Sequence, residues 1–196
     1  RHYASDVDIL DSDYQIAETH LYYFYKTLEK MQKFIEEYNG DATKEMFDSE
    51  FSKEIVTKFI EVMDEDFNTS AAVANLHNIF KYANAIMNEA KKSTRQVTAN
   101  TLAKMVKDIR KVYSVLGLLE QNPEKFIIEL KEKYLKKLQI SPKDIESFIS
   151  ERANAKKLKD YNRADSIREN LENKGIILND TRDGTEWDIK ALYKVF

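Results

Sequence analysis

The sequence predicts a mainly α-helical protein: an antiparallel helical bundle followed by a smaller helical domain that ends in a short β-hairpin. Three observations carry this. All four glycines and both prolines fall at apparent breaks, which divide the 196 residues cleanly. Between the breaks, apolar residues recur every three or four positions, the spacing of one buried helix face. Near the end, Asp183-Gly184 separates two short strand-like runs, a strong hairpin signal.

Taken in order, Asp11-Ser12-Asp13 offers helix-capping side chains, and Ala17, Leu21, Phe24, Leu28, Met31, Ile35 and Tyr38 then mark one face of a long helix. Asn39-Gly40-Asp41 ends it. A polar loop to about Ser49 precedes a second helix marked by Ile55, Phe59, Ile60 and Met63. Asp64 to Asn68 forms a corner with Phe67 as its buried anchor, and Asn68 or Thr69 caps the next helix. Ala72, Leu76, Ile79, Ala83, Ile86 and Ala90 supply the third stripe, with Lys91-Lys92-Ser93 suited to the helix C-terminus. Leu102, Met105, Val106, Ile109, Tyr113 and Leu116 define a fourth helix, stopped by Gly117. Four such helices with modest loops form a bundle.

Beyond Gly117 the helices shorten. Asn122-Pro123-Glu124 starts one that runs to about Leu138, and Ser141-Pro142 starts another, with Ile145, Ile149, Arg152, Ala155 and Lys156 on related faces. The chain then ends or bends that helix around Asp160-Tyr161-Asn162 and resumes with Ala164, Ile167, Arg168 and Leu171. Gly175 suits a left-handed cap, and Ile176–Asn179 and Thr185–Asp188 are the two strands. The domain division is therefore expected at 1–117 and 118–196, with the joint near Gly117–Pro123.

Composition narrows the function. The chain has no cysteine, which excludes disulfides and thiolate metal sites and fits a reducing compartment. It has no apolar run near the ~20 residues of a membrane helix, and Arg1-His2-Tyr3 leads into acidic, polar sequence rather than a secretory leader, so the expectation is cytoplasmic. Net charge is −3, but residues 1–66 hold 17 acids and 7 Lys/Arg, while the remainder holds 17 acids and 24 Lys/Arg. A basic half can grip phosphate beside an acidic half, because exposed charges are screened beyond ~10 Å. Ordinary solvated helix faces would give the same asymmetry. The three histidines form no pair with a nucleophile or carboxylate, and no Gly-rich phosphate loop, Gly-x-Ser-x-Gly or His-x-x-x-His is present. No active site assembles from these residues, and Asp64-Glu65-Asp66 lacks the spacing of a metal site.

The strongest constellation is Lys156, Tyr161, Asp165 and Asp180. Turn spacing brings cation, ring and acid toward one helix junction. An unpaired base offers a π-face to Tyr161, worth ~1–3 kcal/mol when stacked, and N–H groups to a carboxylate. Arg152, Lys157, Lys159, Arg163 and Arg168 would position phosphates rather than choose bases. The alternative is that Tyr161 packs into a helix corner while Asp165 pairs with Arg168 or caps a turn. Trp187, on the second strand, is expected in the core of the hairpin-on-helix unit.

Three runs in order, Met63-Asp64-Glu65-Asp66-Phe67-Asn68-Thr69, Val115-Leu116-Gly117-Leu118-Leu119 with Asn122-Pro123-Glu124, and Arg152 through Trp187, make the chain resemble the C-terminal half of a cysteinyl-tRNA synthetase. Arg1-His2-Tyr3 resembles the segment after that family's catalytic domain. The resemblance implies a bundle that supports the tRNA and a terminal anticodon-binding domain that reads tRNA(Cys), with Lys156, Tyr161, Asp165 and Asp180 at the anticodon contacts. Here Tyr161 stands where the family usually has Trp, and Lys156 where it usually has Arg, so stacking and bidentate contact should both be weaker. The ATP and zinc that the resemblance implies would belong to a catalytic domain not represented in these residues. The chain is thus expected to be a tRNA-binding part, monomeric, partnered by tRNA and its own catalytic domain, and inactive alone. Lys125 to Lys143 and Ile189–Phe196 find no counterpart in the resemblance. Two other classes remain open: a helical scaffold that binds proteins through Tyr22-Tyr23-Phe24-Tyr25, and a stand-alone RNA-binding module.

Overall fold

The computed structural model describes residues 8, 10–181 and 184–193. Arg1-His2-Tyr3 and the Arg182-Asp183 part of the hairpin tip lie outside them. The described residues are 72% helical, with eight α-helices and one antiparallel hairpin among them, so the predicted fold class holds. The helices are α1 (Asp11–Glu37), α2 (Glu50–Lys53), α3 (Ile55–Asp64), α4 (Thr69–Glu89), α5 (Arg95–Tyr113), α6 (Pro123–Leu138), α7 (Pro142–Lys157) and α8 (Tyr161–Asn173), followed by β1 (Ile176–Asp180) and β2 (Thr185–Ile189). Two compact units divide the chain, one comprising Arg1–Tyr14 and Tyr23–Phe126, the other Gln15–Tyr22 and Ile127–Phe196. This division lies a few residues beyond the Gly117–Pro123 joint read from the sequence, and it groups one stretch of α1 with the later unit.

In the first unit, helix boundaries follow their local chemistry. The Leu10 N–H donates to Asp13 Oδ2 at 3.0 Å, so capping comes from inside the first turn of α1. Asn68 Oδ1 accepts from the Ala71 N–H at 3.0 Å and opens α4. Gly117 ends the single 3₁₀ turn after α5 at φ 67°. Asn122 accepts from the Lys125 N–H at 3.1 Å and opens α6 with Pro123 next. The core is built from Phe24, Leu28, Met31, Phe59, Leu76, Phe80, Leu102, Met105, Ile109 and Tyr113. His77 is spent there, 4.5 Å from the Phe24 ring centroid and 5.7 Å from that of Tyr23. The Tyr113 hydroxyl donates to the Ala72 carbonyl at 2.9 Å, and burial holds its pKa above the usual tyrosine range.

The loop after α1 is sewn to α5 by buried Asn100, which accepts from the Asp41 N–H at 2.9 Å and donates to the Glu45 carbonyl at 2.9 Å. Gly40 is required by this approach, since a Cβ there would lie 2.5 Å from the Ala99 carbonyl oxygen.

Two expectations change. The loop before α3 contains the four-residue α2, capped by Ser49, which accepts from the Phe51 N–H at 3.1 Å. Phe67 is not a buried anchor: it is 63% exposed. Asp66 and Phe67 adopt left-handed φ values of 55° and 52°. The corner is closed by main-chain bonds, Phe67 N to Met63 O at 2.9 Å and Thr69 N to Phe67 O at 2.7 Å. A corner held by its backbone needs no buried side chain.

The second unit packs α7, α8 and the hairpin around Ile145, Ala155, Ala164, Leu171, Ile176, Leu178, Ile189 and Leu192. Ser141 and Asp144 form a reciprocal capping box at 3.2 Å in each direction. Gly175 takes φ 82° where α8 passes into β1. The strands pair with Ile176 opposite Ile189, Leu178 opposite Trp187 and Asp180 opposite Thr185, so period-two alternation sends Ile176 and Leu178 inward. The α1 segment joins this unit through polar contacts. Glu18 accepts from Lys133 Nζ and, at 2.8 Å, from the Tyr134 hydroxyl; Tyr22 donates to Asp188.

Candidate nucleic-acid interface

The junction of α7 and α8 is a tight three-residue corner. Apolar spacing cannot continue through it, because Lys159 takes a left-handed φ of 60°. The Asp160 N–H bonds back to the Ala155 carbonyl at 2.9 Å, and the Asp160 carboxylate then caps α8 through the Arg163 N–H at 3.1 Å. Restarting the helix at Tyr161 rotates that residue away from the Ala164–Ile167–Leu171 core face. The phenol ring is 62% exposed. The reading in which Tyr161 packs into the corner is therefore not what the structure adopts. Leu158, in the same corner, is 81% exposed, and Lys156, Lys157 and Lys159 are exposed around it.

Asp180, the last residue of β1, is gripped on both oxygens. Arg152 Nη1 donates to Oδ1 at 2.8 Å and Nη2 to Oδ2 at 2.9 Å. Lys156 Nζ donates to Oδ2 at 2.9 Å, and Thr185 Oγ1 to Oδ1 at 2.8 Å across the last rung of the hairpin. The Arg152 bonds first, then those of Lys156 and Thr185, hold the Asp180 carboxyl well below the usual carboxylate range. In return the Asp180 hydrogen bond holds the Arg152 guanidinium above its ordinary value, with the charge of Asp165 contributing in the same direction. The Asp180 side chain remains 46% exposed, whereas that of Arg152 is 5% exposed.

The predicted residues thus sort by their partners. Lys156 and Asp180 are joined directly, and Tyr161 and Asp165 are exposed on the first two turns of α8. Lys157, Lys159 and Arg168 are exposed and, among the described residues, form no ion pair. Arg163 is engaged by Glu151, with Nη2 to Oε1 at 2.7 Å and Nε to Oε1 at 3.2 Å. Arg152 is buried and turned onto Asp180. No bond joins Asp165 to Arg168.

Thr185 and Glu151 join the site beyond the residues that the sequence singles out. Thr185 was in principle legible, because a hairpin centred on residues 181–184 places it opposite Asp180. Trp187 is half-buried: Lys131 Nζ lies 4.5 Å from its ring centroid, and its indole N–H donates to Glu146 Oε1 at 3.2 Å. It therefore sits at the edge of the hairpin, under a lysine, rather than in the core as expected.

An exposed ring, a free carboxylate, an acid held ionised and a cluster of cations can together stack, hydrogen-bond and neutralise an unpaired nucleotide. The sequence has no cysteine. Among the described residues no group of three or more His, Asp or Glu could hold a metal ion, and no helix is long and apolar enough to cross a membrane.

Comparison with known proteins finds two kinds of similarity. A DALR domain model matches residues 58–120, which run from α3 to just past α5. The chain is similar along almost its whole length to proteins named cysteine–tRNA ligase. It is 35% identical to that of Geotalea uraniireducens (strain Rf4), with 96% of this chain and 40% of the relative covered. It is 36% identical to that of Geobacter metallireducens, covering 96% and 39%, and 34% identical to that of Acinetobacter baumannii (strain SDF), covering 95% and 36%. The chain therefore spans about two fifths of the length of the curated relatives it matches.

Proposed function

We propose, from a likeness to cysteine–tRNA ligases that covers 96% of the chain, that these residues form the tRNA-binding portion of such an enzyme and recognise the anticodon of tRNA(Cys). The observation that carries this reading is the 62% exposed Tyr161 ring, at the start of α8 and directly after the corner that holds exposed Lys157 and Lys159, one helical turn before Asp165. Tyr161 stacks on a base pulled out of the anticodon loop. Asp165 and Asp180 accept from base N–H groups, Lys156 donates to a base acceptor, and Lys157, Lys159 and Arg168 meet phosphates. Arg163 can join them by releasing Glu151, an exposed pair of little intrinsic strength. The bundle of the first unit supports the body of the tRNA. Attachment of cysteine, with the ATP and zinc that reaction uses in this family, belongs to sequence outside these residues, and the 196-residue chain alone is inactive in aminoacylation.

A protein-binding scaffold built on Tyr22–Tyr25 is disfavoured, because Tyr22, Phe24 and Tyr25 are only 2–4% exposed. The test is binding of the chain to tRNA with a GCA anticodon and to the same tRNA with an exchanged anticodon, at several salt concentrations. Preference for GCA, with affinity falling as salt rises, is expected. Equal binding to both would remove the anticodon from the account.

A further inference from the structure

We propose that Arg152 is a positioning residue for base reading: its two-pronged hold on Asp180 leaves one acceptor site of that carboxylate, the one Lys156 occupies, exchangeable for an N–H of an unpaired base. The inference deepens the proposed function and rests on it.

A carboxylate offers about four lone-pair sites. Asp180 fills them with Arg152 Nη1 and Thr185 Oγ1 on Oδ1, and with Arg152 Nη2 and Lys156 Nζ on Oδ2. A base donor can therefore reach Asp180 only by displacing one of these four. They are not equally displaceable. The guanidinium is planar, delivers two parallel bonds and sits on a side chain 5% exposed, so withdrawing it would leave a buried charge without its counter-ion. Its Nε is already buried with no hydrogen-bond partner among the described residues, which leaves it no second anchor. Thr185 is fixed by the hairpin register opposite Asp180. Lys156 is different: its side chain is 42% exposed, reaches Asp180 through a single bond and has a flexible stem.

Lys156 is thus the exchangeable partner. When a base N–H takes its place on Oδ2, the ammonium is released beside that base, free to donate to the base's acceptor or to the adjoining phosphate. Acceptor and donor then lie side by side, as a base edge that alternates donor and acceptor requires. Arg152 touches no RNA in this scheme. Through the charge-assisted fork it fixes where the carboxylate points.

Arg152→Lys keeps the charge but loses the fork. The measurement is the affinity of the 196-residue chain and its Arg152→Lys variant for tRNA with a GCA anticodon and for the exchanged anticodon. Affinity is taken across a salt series, with circular dichroism and thermal melts alongside. The expected result is a fall of roughly tenfold in the preference for GCA, within what one good base contact supplies, with an unchanged salt slope because no phosphate contact is lost. A uniform loss across both anticodons with a slope shallower by about 0.7 would place Arg152 on phosphate and overturn the proposal. A lowered melting temperature with unchanged preference would make it a structural counter-ion only and overturn it too. Should Arg152→Lys fail to fold, Asp180→Asn decides: it keeps the side-chain size but loses the carboxylate that Arg152 holds, and a preference equal to wild type overturns the proposal. A wild-type chain with no preference for GCA would instead defeat the function on which the proposal depends.

Discussion

The hydroxyl of Tyr22 donates to the carboxylate of Asp188, a residue 166 positions further along the chain and 4% exposed. Lys131 completes the group, with its ammonium 3.3 Å from the same carboxylate. Tyr22→Phe deletes one hydrogen bond to a buried acid and should destabilise the second unit by about 1–2 kcal/mol. Lys131→Met removes the counter-charge and should cost more, about 3 kcal/mol. Urea unfolding of both variants checks the order; equal or negligible losses would mean that Asp188 is hydrated and does not depend on these partners.

Gly40 makes a different kind of prediction, because only backbone crowding is involved. A methyl group there must push back the Ala99 carbonyl, whose oxygen would be 2.5 Å away, or lift the loop off Asn100. Gly40→Ala should cost about 1–3 kcal/mol, read as a lowered denaturation midpoint with an unchanged m-value.

For Asp180 the prediction concerns pH. Its folded-state pKa is depressed, chiefly by the Arg152 bonds, so its stabilising contribution is fully present above the unfolded value of ~3.9. That contribution is lost as pH falls through the lower folded value. Asp180→Asn should therefore be less stable than wild type at pH 7, and the gap should close progressively below about pH 4. A gap independent of pH would show that the carboxylate charge is not what Arg152 requires.

Much of the fold was written in local chemistry. Gly117, Pro123, Ser141-Pro142 and Gly175 each mark an element end that the structure keeps. Those signals are legible because they depend on neighbours in sequence. The failures depend on something else. The four residues of α2 are too few to display a helical period, and the cap at Ser49 resembles any polar loop residue. Phe67 is apolar, which suggests burial, but two successive left-handed residues turn it outward.

The candidate site shows the same division. The exposure of Tyr161 follows from the chain break before it, which was visible in Lys159-Asp160. The spacing puts Arg152 on the same face as Ile145 and Ala155, which is the face the structure buries. Only the three-dimensional return of β1 reveals that Asp180 is its partner, 28 residues on. Charge pairing across such a distance has no period to read.

The central claim is that an exposed ring at position 161 stacks on a base of the anticodon loop. The most direct measurement is the affinity of Tyr161→Ala and Tyr161→Phe for the tRNA(Cys) anticodon stem–loop, with folding verified by circular dichroism. The account predicts that Ala weakens binding by about 1–3 kcal/mol, the contribution of one stacked base, and that Phe, which keeps the ring, stays near wild type. Wild-type affinity in Tyr161→Ala would contradict it.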